Sequence, residues 1–407
     1  MHPARRLAPA RGRLRGKRIL LGVTGSIAAV RSVELARELI RRGAAVRALM
    51  TPSAQRILHP CALEYATGEP PVTELTGQVE HVDLVEEADL LLIAPATANS
   101  LGKLAHGIDD TPVASAACVA IGRGLPVVAA PAMHEPMGKN PLVAENLERL
   151  RAAGVALVSP KLEEEALKLA SEEEILLEVE RALTPPRLRG KRVLITGGAT
   201  REAVDPIRVL TNRASGKTGV ELAKEACRLG AAVTLVHSGR LGLSQIREVR
   251  AESAADMTRA VLKELGSKEH HLLVSAAAIS DFVPEASPRK VPSDRPCDLR
   301  LNPAPKMVRE VRKRFPQVPV VAFKAETGMA EGALLKRVRA WMGKSGASMV
   351  VANDVLGGGM GTDDNDVWFV TRRGARRAKG RKEELAVKFW EKAAPLAEQG
   401  SRAQLLL

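Results

Sequence analysis

The stretch Arg15-Gly16-Lys17-Arg18-Ile19-Leu20 decides the fold, because the chain contains a near-copy of it. It returns as Arg189-Gly190-Lys191-Arg192-Val193-Leu194. A second pair of similar stretches follows, at Glu34–Val46 and Glu221–Val233. In each half of the chain, the two stretches together contain a short apolar segment, a Gly-containing turn, a helical pattern, a glycine and a second apolar segment, in that order. This strand–helix–strand order predicts a parallel sheet covered by helices.

The repetition and the length of 407 residues predict two domains. The fold class that we expect is α/β, with two doubly wound Rossmann-like domains, mostly parallel sheets and a flavodoxin-like first half. We expect a charged helix over Leu162–Leu183, and the Pro-Pro pair after it marks the linker. The expected organisation is a basic tail at 1–16, a first domain at 17–184, a linker at 185–190, a second domain at 191–395 and a C-terminal tail at 396–407. Further buried strands are predicted at Asp89–Ala94, Pro126–Ala130, Val155–Ser159, His271–Ala276, Val318–Phe323, Ala347–Ala352 and Asp366–Thr371.

The two repeated stretches lie further apart in the second half than in the first. The extra residues are inserted between the first strand and the first helix of the second half. Ligands of α/β proteins bind at the carboxyl edge of the parallel strands, where this connection lies. The insertion therefore predicts an added active-site loop.

The formal net charge of +14 is concentrated in two segments. Residues 1–18 and 371–382 each hold seven Lys or Arg and no acid, so the rest of the chain is formally neutral. Solvated basic segments are the simpler interpretation, and a content of 2% aromatic residues argues against base-stacking surfaces. We therefore expect small-molecule partners and no nucleic acid.

Four cysteines, Cys61, Cys118, Cys227 and Cys297, are widely spaced, and they form no pair with zinc-ligand spacing. So few cysteines suit a reducing compartment. The sequence has no apolar run long enough to span a membrane and no apolar secretory core. We expect a cytoplasmic protein without a membrane partner.

Polar turns follow the apolar strands of the first half. Gly25-Ser26-Ile27 and Thr51-Pro52-Ser53 offer hydroxyls and backbone N–H groups at helix starts, where phosphate binds. Pro95-Ala96-Thr97-Ala98-Asn99 and Pro131-Ala132-Met133-His134 follow two later strands. The first turn lacks the dinucleotide-binding glycine pattern, so the site suits a mononucleotide.

These segments resemble the flavin-containing cysteine decarboxylases over residues 17–183. The resemblance implies that FMN oxidises a cysteinyl group, which eases loss of carbon dioxide, and then returns the electrons. It implies that Met133 and His134 lie near flavin and substrate, and that His81 is the catalytic base. Alone, His81 would be a surface histidine before a helix. The implied FMN contacts are Gly25, Ser26, Ile27, Thr51, Ser53, Pro95, Ala96, Thr97 and Asn99.

Two departures from this family stand out. His134 occupies a position where many members have Asn, and the stretch Ser159–Lys168 has no cysteine where bacterial members carry a reactive one. The chain therefore looks like an archaeal-type version. Lys161, Lys168 and His134 are candidates for the proton donor of the last step.

The second half has Ser215-Gly216-Lys217-Thr218 at a predicted helix start, but Thr211 stands where a Walker A loop needs glycine. Residues 190–395 resemble the phosphopantothenate–cysteine ligases. The resemblance rests on Thr196–Glu202, Asp205–Gly219, Ser275–Phe282, Phe323–Thr327 and Ala352–Val355.

That resemblance implies that a nucleoside triphosphate, usually CTP, activates phosphopantothenate as an acyl-nucleotide, and that cysteine then displaces the nucleotide. Asn212 and Arg208 would hold the intermediate, and Lys290 would close on the triphosphate. Pro292 replaces a second lysine that is often present, which leaves the chemistry of this loop open. Mg²⁺ is expected with the triphosphate. The implied substrate and nucleotide contacts further include Ala277, Asp281, Phe323, Lys324 and Asn353.

The sequence thus predicts a bifunctional enzyme, expected to be a homo-oligomer. Two alternatives are a flavoprotein that attaches a prenyl group to flavin and a regulatory binding protein without activity. The ligase-like half argues against the first alternative, and His81 together with that half argues against the second.

Overall fold

The chain divides into two compact units between Pro185 and Pro186. The structure, a computed structural model, describes residues 7, 12–163, 166–294 and 296–404.

A five-stranded parallel sheet forms the centre of the first unit. The strands of the unit are β1 (Arg18–Val23), β2 (Ala45–Met50), β3 (Leu90–Ala96), β4 (Val127–Pro131), β5 (Met133–His134), β6 (Ala156–Leu157), β7 (Lys161–Glu163) and β8 (Ala166–Lys168). The sheet has the order β2-β1-β3-β4-β6, which is the flavodoxin-like order. Every residue of β3 is buried, as a parallel strand covered on both faces requires.

Helices cover both faces of this sheet. They are α1 (Ser32–Arg41), α2 (Pro52–Gln55), α3 (Pro60–Thr67), α4 (Glu80–Glu87), α5 (Ala98–Ala105), α6 (Pro112–Arg123), α7 (Glu135–Gly138), α8 (Pro141–Ala152) and α9 (Glu172–Leu183). Leu90, Leu92 and Ala94 of β3 join one apolar cluster, and Leu91 and Ile93 join the other. Alternate side chains therefore build two cores on opposite faces.

The predicted helix over Leu162–Leu183 is wrong in its first half. Residues 161–168 contribute β7 and β8, which pair antiparallel with each other, and β8 pairs with β5. The helix begins only at Glu172, because Ser171 and Glu174 form a reciprocal capping box. Pairing with the distant Met133–His134 strand overrides the local helical pattern.

The second unit contains an eight-stranded sheet. The strands of the unit are β9 (Arg192–Thr196), β10 (Arg201–Ala203), β11 (Val209–Thr211), β12 (Ala232–His237), β13 (Ile246–Arg250), β14 (Leu272–Ser275), β15 (Phe282–Pro284), β16 (Leu301–Pro303), β17 (Val320–Glu326), β18 (Met349–Asp354), β19 (Asp364–Thr371) and β20 (Gly374–Arg381). The sheet order is β13-β12-β9-β14-β17-β18-β19-β20. Its first six strands are parallel in the Rossmann order, and β19 and β20 add an antiparallel edge.

The helices of this unit are α10 (Lys217–Arg228), α11 (Ala254–Ser267), α12 (Met307–Arg314), α13 (Glu331–Ser345) and α14 (Lys382–Gln404). The predicted α/β class with mostly parallel sheets is confirmed in both units. No helix in the described parts of the chain is long and apolar enough to cross a membrane.

The insertion in the second half folds as the hairpin β10–β11. A second hairpin, β15–β16, contacts it. Both hairpins stand apart from the main sheet of the unit. They occupy the connections after β9 and β14, so they lie at its carboxyl edge.

Candidate functional site

The buried hydroxyl of Thr24 joins two predicted flavin segments at the end of β1. Its Oγ1 donates to the carbonyl oxygen of Pro95 at 2.7 Å and accepts from the backbone N–H of Thr97 at 3.0 Å. The backbone N–H of Ala132 donates in turn to the carbonyl oxygen of Ala96 at 3.0 Å. The ends of β1, β3 and β4 are thereby fastened side by side.

The turn Gly25–Ile27 packs directly against the turn after β2. A Cβ on Gly25 would lie 2.4 Å from the Oγ of Ser53, so a side chain at residue 25 would displace that hydroxyl. Ser53 Oγ lies 3.0 Å from Thr51 Oγ1. Ser26 accepts from the N–H of Ala28, and a short 3-10 helix at Ile27–Arg31 precedes α1. These turns form one polar surface at the carboxyl edge.

Met133 and His134 lie on β5, opposite Leu167 and Ala166 of β8. The segment that lacks the expected cysteine is therefore the strand neighbour of the Pro-Ala-Met segment. Lys161 and Lys168 are partners in the β7–β8 register. His134 is exposed, and Met133 is half-buried.

His81 lies in the first turn of α4. The last turn of this helix lies beside the start of the sheet, where Arg18 of β1 pairs with Glu87. The first turn of α4, which holds His81, therefore lies toward the carboxyl edge of the sheet. The Nδ1 atom of His81 is buried and has no hydrogen-bond partner among the described residues. A buried, unpaired ring nitrogen is unusual and is available to a ligand.

A large cavity of about 380 Å³ lies at the carboxyl edge of the second unit. It contains five residues that the sequence analysis assigned to substrate or nucleotide: Asn212, Ala277, Asp281, Phe323 and Lys324. The side-chain amide of Asn212 donates to the carbonyl oxygen of Ala278 at 3.0 Å, which fixes its place beside the end of β14.

Three further residues of the large cavity carry no sequence signal of their own. Lys306 binds the carboxylate of Asp281, and Trp341 and Lys344 approach from α13. The ammonium group of Lys324 lies 5.9 Å from the centre of the Trp341 ring, a cation–π arrangement. The cavity thus combines aromatic surfaces with cationic groups.

A small cavity of about 120 Å³ adjoins the large one and shares Ala277, Ala278 and Phe323 with it. It contains the start of α10 and Asn353, whose side-chain amide nitrogen lies 3.4 Å from Asn365 Oδ1. Its remaining lining includes Lys382, which the sequence analysis did not single out.

Arg208 and Lys290 lie outside both cavities, although the sequence analysis assigned them to the site. The buried carboxylate of Asp205 joins their segments. It accepts from the backbone N–H of Arg208 at 2.7 Å and of Val291 at 3.1 Å. Burial alone would raise the pKa of Asp205, but these N–H groups, that of Ile207 and the Arg208 guanidinium together lower it. Arg208 also donates to the carbonyl oxygen of Val291.

All four cysteines are free thiols. Cys61 and Cys297 are exposed, Cys118 is half-buried in α6, and Cys227 is buried in α10. Burial and the charge of Asp109 raise the pKa of the Cys118 thiol, which makes it a poor thiolate.

Comparisons with known proteins match both halves. Residues 7–183 match the flavoprotein family, and residues 188–396 match the C-terminal domain of DNA/pantothenate metabolism flavoproteins. The coenzyme A biosynthesis bifunctional protein CoaBC of Thermococcus kodakarensis is 45% identical over 386 residues, which cover 93% of this chain and 95% of that protein. Its counterpart in Methanocaldococcus jannaschii is 34% identical over 404 residues, with 98% of each covered. Among solved structures, the C-terminal domain of a CoaBC is 28% identical with a TM-score of 0.43, covering 52% of this chain and 98% of that one.

These relatives match across both halves, which favours the bifunctional enzyme over the two alternatives. The chain belongs to the family of bifunctional coenzyme A biosynthesis proteins.

Proposed function

We propose that the second unit condenses 4′-phosphopantothenate with cysteine, and that the first unit then decarboxylates the product to 4′-phosphopantetheine with FMN. The order follows from the chemistry, because the carboxylate that is lost belongs to the cysteine that is first added. The observation that carries the proposal is the convergence of the motif residues in each unit on one carboxyl edge.

The polar surface of the first unit fits the phosphate end of FMN. Ser26, Thr51, Ser53 and Thr97 supply hydroxyls there, and the missing side chain of Gly25 keeps the two turns in contact. FMN would supply the electron chemistry. Ile27, Pro95, Ala96 and Asn99 complete the proposed contacts.

His81 is the proposed base of decarboxylation. Its buried Nδ1 has no hydrogen-bond partner among the described residues, so it is free to take a proton from the substrate. Met133 and His134 are proposed to contact the substrate. The hairpin next to β5, with Lys161 and Lys168, takes the place of the cysteine-bearing segment of bacterial relatives.

The large cavity of the second unit is the proposed nucleotide site. Phe323 offers a surface for a base. Lys306 and Lys324, which are ion-paired with Asp281 and Glu326 in this structure, are the proposed partners of phosphate groups. CTP is the nucleotide that the family resemblance favours. The described residues include no cluster of three His, Cys, Asp or Glu side chains that could hold a metal. We therefore propose that Mg²⁺ binds chiefly through phosphate oxygens, with Asp281 nearby.

Asn212 is proposed to hold the acyl-nucleotide, because it lines the large cavity at the carboxyl edge. Arg208 and Lys290 would close over the site from the β10–β11 hairpin and the 289–292 loop. Their shared anchor at Asp205 lets the two segments move together. Ala277 and Asn353 complete the proposed contacts.

The two hairpins of the second unit expose apolar side chains that a second copy of the chain would cover. Ile207 and Val209 belong to the first hairpin, and Phe282 and Leu301 to the second, each at least 43% exposed. We propose a homo-oligomer through this surface. Cytoplasmic location stays a prediction from the sparse cysteines.

The test uses purified full-length protein with phosphopantothenate, cysteine and one nucleoside triphosphate at a time, followed by mass analysis. The expected result is a flavin-coloured protein that forms 4′-phosphopantetheine most rapidly with CTP. Colourless protein that takes up no added FMN would contradict the first half of the proposal. A product that forms equally well without any nucleotide would contradict the second half.

A further inference from the structure

Lys382, the first residue of α14, is a buried cation without an anionic partner. The residue is only 6% exposed, and no carboxylate in the described parts of the chain lies within ion-pair distance of it. Its ammonium group donates to the carbonyl oxygen of Thr362, and its backbone N–H donates to that of Asp363. One carbonyl oxygen accounts for one of three ammonium donors. Buried charges are ordinarily paired, so this residue requires an explanation.

A second cation makes the position of Lys382 still less favourable. Burial lowers the pKa of Lys382, and the charge of Lys217 lowers it further, against the opposing charges of Asp363 and Asp364. Lys217 is exposed and pairs with Asp363 at 2.5 Å. The two lysines are therefore held near each other. An anion between them would offset the desolvation cost of Lys382 and reduce the repulsion between the two ammonium groups.

Both lysines line the small cavity. Its described lining contains Lys217 and Lys382 but no carboxylate. Gly216 to Gly219 at the start of helix α10 also line it, and the N–H groups of a helix start favour anions. The cavity adjoins the large cavity through Ala277 and Phe323, so a ligand group in one lies close to a ligand group in the other.

We propose that Lys382 is a phosphate-binding residue of the ligase unit, which holds a substrate phosphate group in the small cavity. This inference rests on the proposed ligase function. The phosphate belongs either to the nucleoside triphosphate or to 4′-phosphopantothenate, and both present the same chemistry to a lysine pair.

A structural role makes a different prediction. If Lys382 served only to fasten the 362–363 loop, its replacement would lower the stability of the ligand-free protein and leave phosphate affinity of the folded protein unchanged. A phosphate-binding role predicts that phosphate affinity of the folded protein falls, whether or not loss of the bond to Thr362 also lowers stability.

The experiment compares Lys382→Met and Lys382→Arg with Lys392→Met in the full-length protein. Lys392 is an exposed lysine of the same helix and serves as the matched control. Dissociation constants are measured by titration calorimetry with CTP in one arm and 4′-phosphopantothenate in the other. Melting temperatures are measured without ligand.

We expect Lys382→Met to weaken one of the two ligands by about tenfold or more, since bonds to charged groups are among the stronger ones. Lys382→Arg should restore part of that loss, and Lys392→Met should bind like the parent. The ligand whose affinity falls, CTP or 4′-phosphopantothenate, is the one whose phosphate group binds Lys382. Unchanged affinity for both ligands in Lys382→Met would overturn the inference and leave the proposed function intact. A parent protein that binds neither ligand would contradict the proposed function and this inference with it.

Discussion

Thr24 illustrates how a single residue organises the first site. Its hydroxyl is fully buried and serves as donor to Pro95 and acceptor from Thr97, so both of its bonds lie between strand ends. Its role could not be predicted from the sequence, because the bonds join residues more than seventy positions apart.

His81 carries the sharpest prediction at this scale. Replacing His81 with Asn should lower the rate of decarboxylation by about a hundredfold or more, because positioned acid–base groups contribute at least that much. FMN content should stay unchanged. The rate is measured with purified 4′-phosphopantothenoylcysteine as substrate.

A cysteine-free variant is the counterpart to the His81 experiment. Replacing Cys61, Cys118, Cys227 and Cys297 with Ala or Ser should keep decarboxylation within about tenfold of the parent, about 1.4 kcal/mol in barrier height. Near-parental turnover by His81→Asn would refute its assignment as base. An inactive but folded, flavin-bound cysteine-free protein would show that a thiol takes part.

Asn212 gives the corresponding test in the second unit. Asn212→Asp places a carboxylate next to a phosphate-bearing intermediate, and like-charge repulsion should slow ligation. Decarboxylation by the same preparation should be normal. Equal loss of both activities would mean that the hydrogen bond from the Asn212 side chain to the carbonyl oxygen of Ala278 is needed for folding rather than for chemistry.

At the scale of elements, the long buried strands could be predicted best. A central parallel strand such as β3 is apolar at nearly every residue, so its pattern is local. The region 161–168 could not be predicted, because its pairing with β5 depends on a distant strand. The predicted strand Val155–Ser159 is shorter in the structure, at Ala156–Leu157.

The β10–β11 hairpin and the 289–292 loop share one anchor, Asp205, whose ionisation provides a pH test. Burial opposes ionisation of Asp205, but its three N–H partners and Arg208 lower its pKa below the usual value of about 3.9. Stability from this carboxylate is therefore present above the unfolded pKa and lost as pH falls through the lower folded pKa.

Asp205→Asn should melt at a lower temperature than the parent near neutral pH, and the difference should shrink as the pH falls below the folded pKa. Ligation should fall as well, since Arg208 and Val291 lose their shared anchor. Scanning calorimetry and ligation rates check the two effects. A difference in melting temperature that stays the same at neutral and acid pH would show that the charge of Asp205 contributes nothing.

At the scale of the molecule, the division at Pro185–Pro186 predicts separable activities. A protein of residues 1–184 should decarboxylate 4′-phosphopantothenoylcysteine, and one of residues 187–407 should ligate. Each has its own sheet and apolar cores. Circular dichroism confirms folding before each assay. A folded second half that does not ligate until the first half is added would contradict independence.

Several charges of the basic segments 1–18 and 371–382 are paired within the fold. Lys17 and Arg18 pair with Asp89 and Glu87, and Arg377 makes a two-point pair with Asp366. Lys382 is buried beside the small cavity. Part of the apparent charge excess is therefore neutralised by ion pairs within the fold.

The most direct test of the account follows the carboxyl carbon of cysteine. Full-length protein is supplied with phosphopantothenate, CTP and cysteine labelled with ¹³C at the carboxyl group, and labelled carbon dioxide and product are measured together. We predict labelled carbon dioxide and unlabelled 4′-phosphopantetheine in equal amounts, both dependent on CTP. Labelled carbon dioxide without CTP, or a final product that retains the label, would contradict the proposed sequence of ligation and decarboxylation.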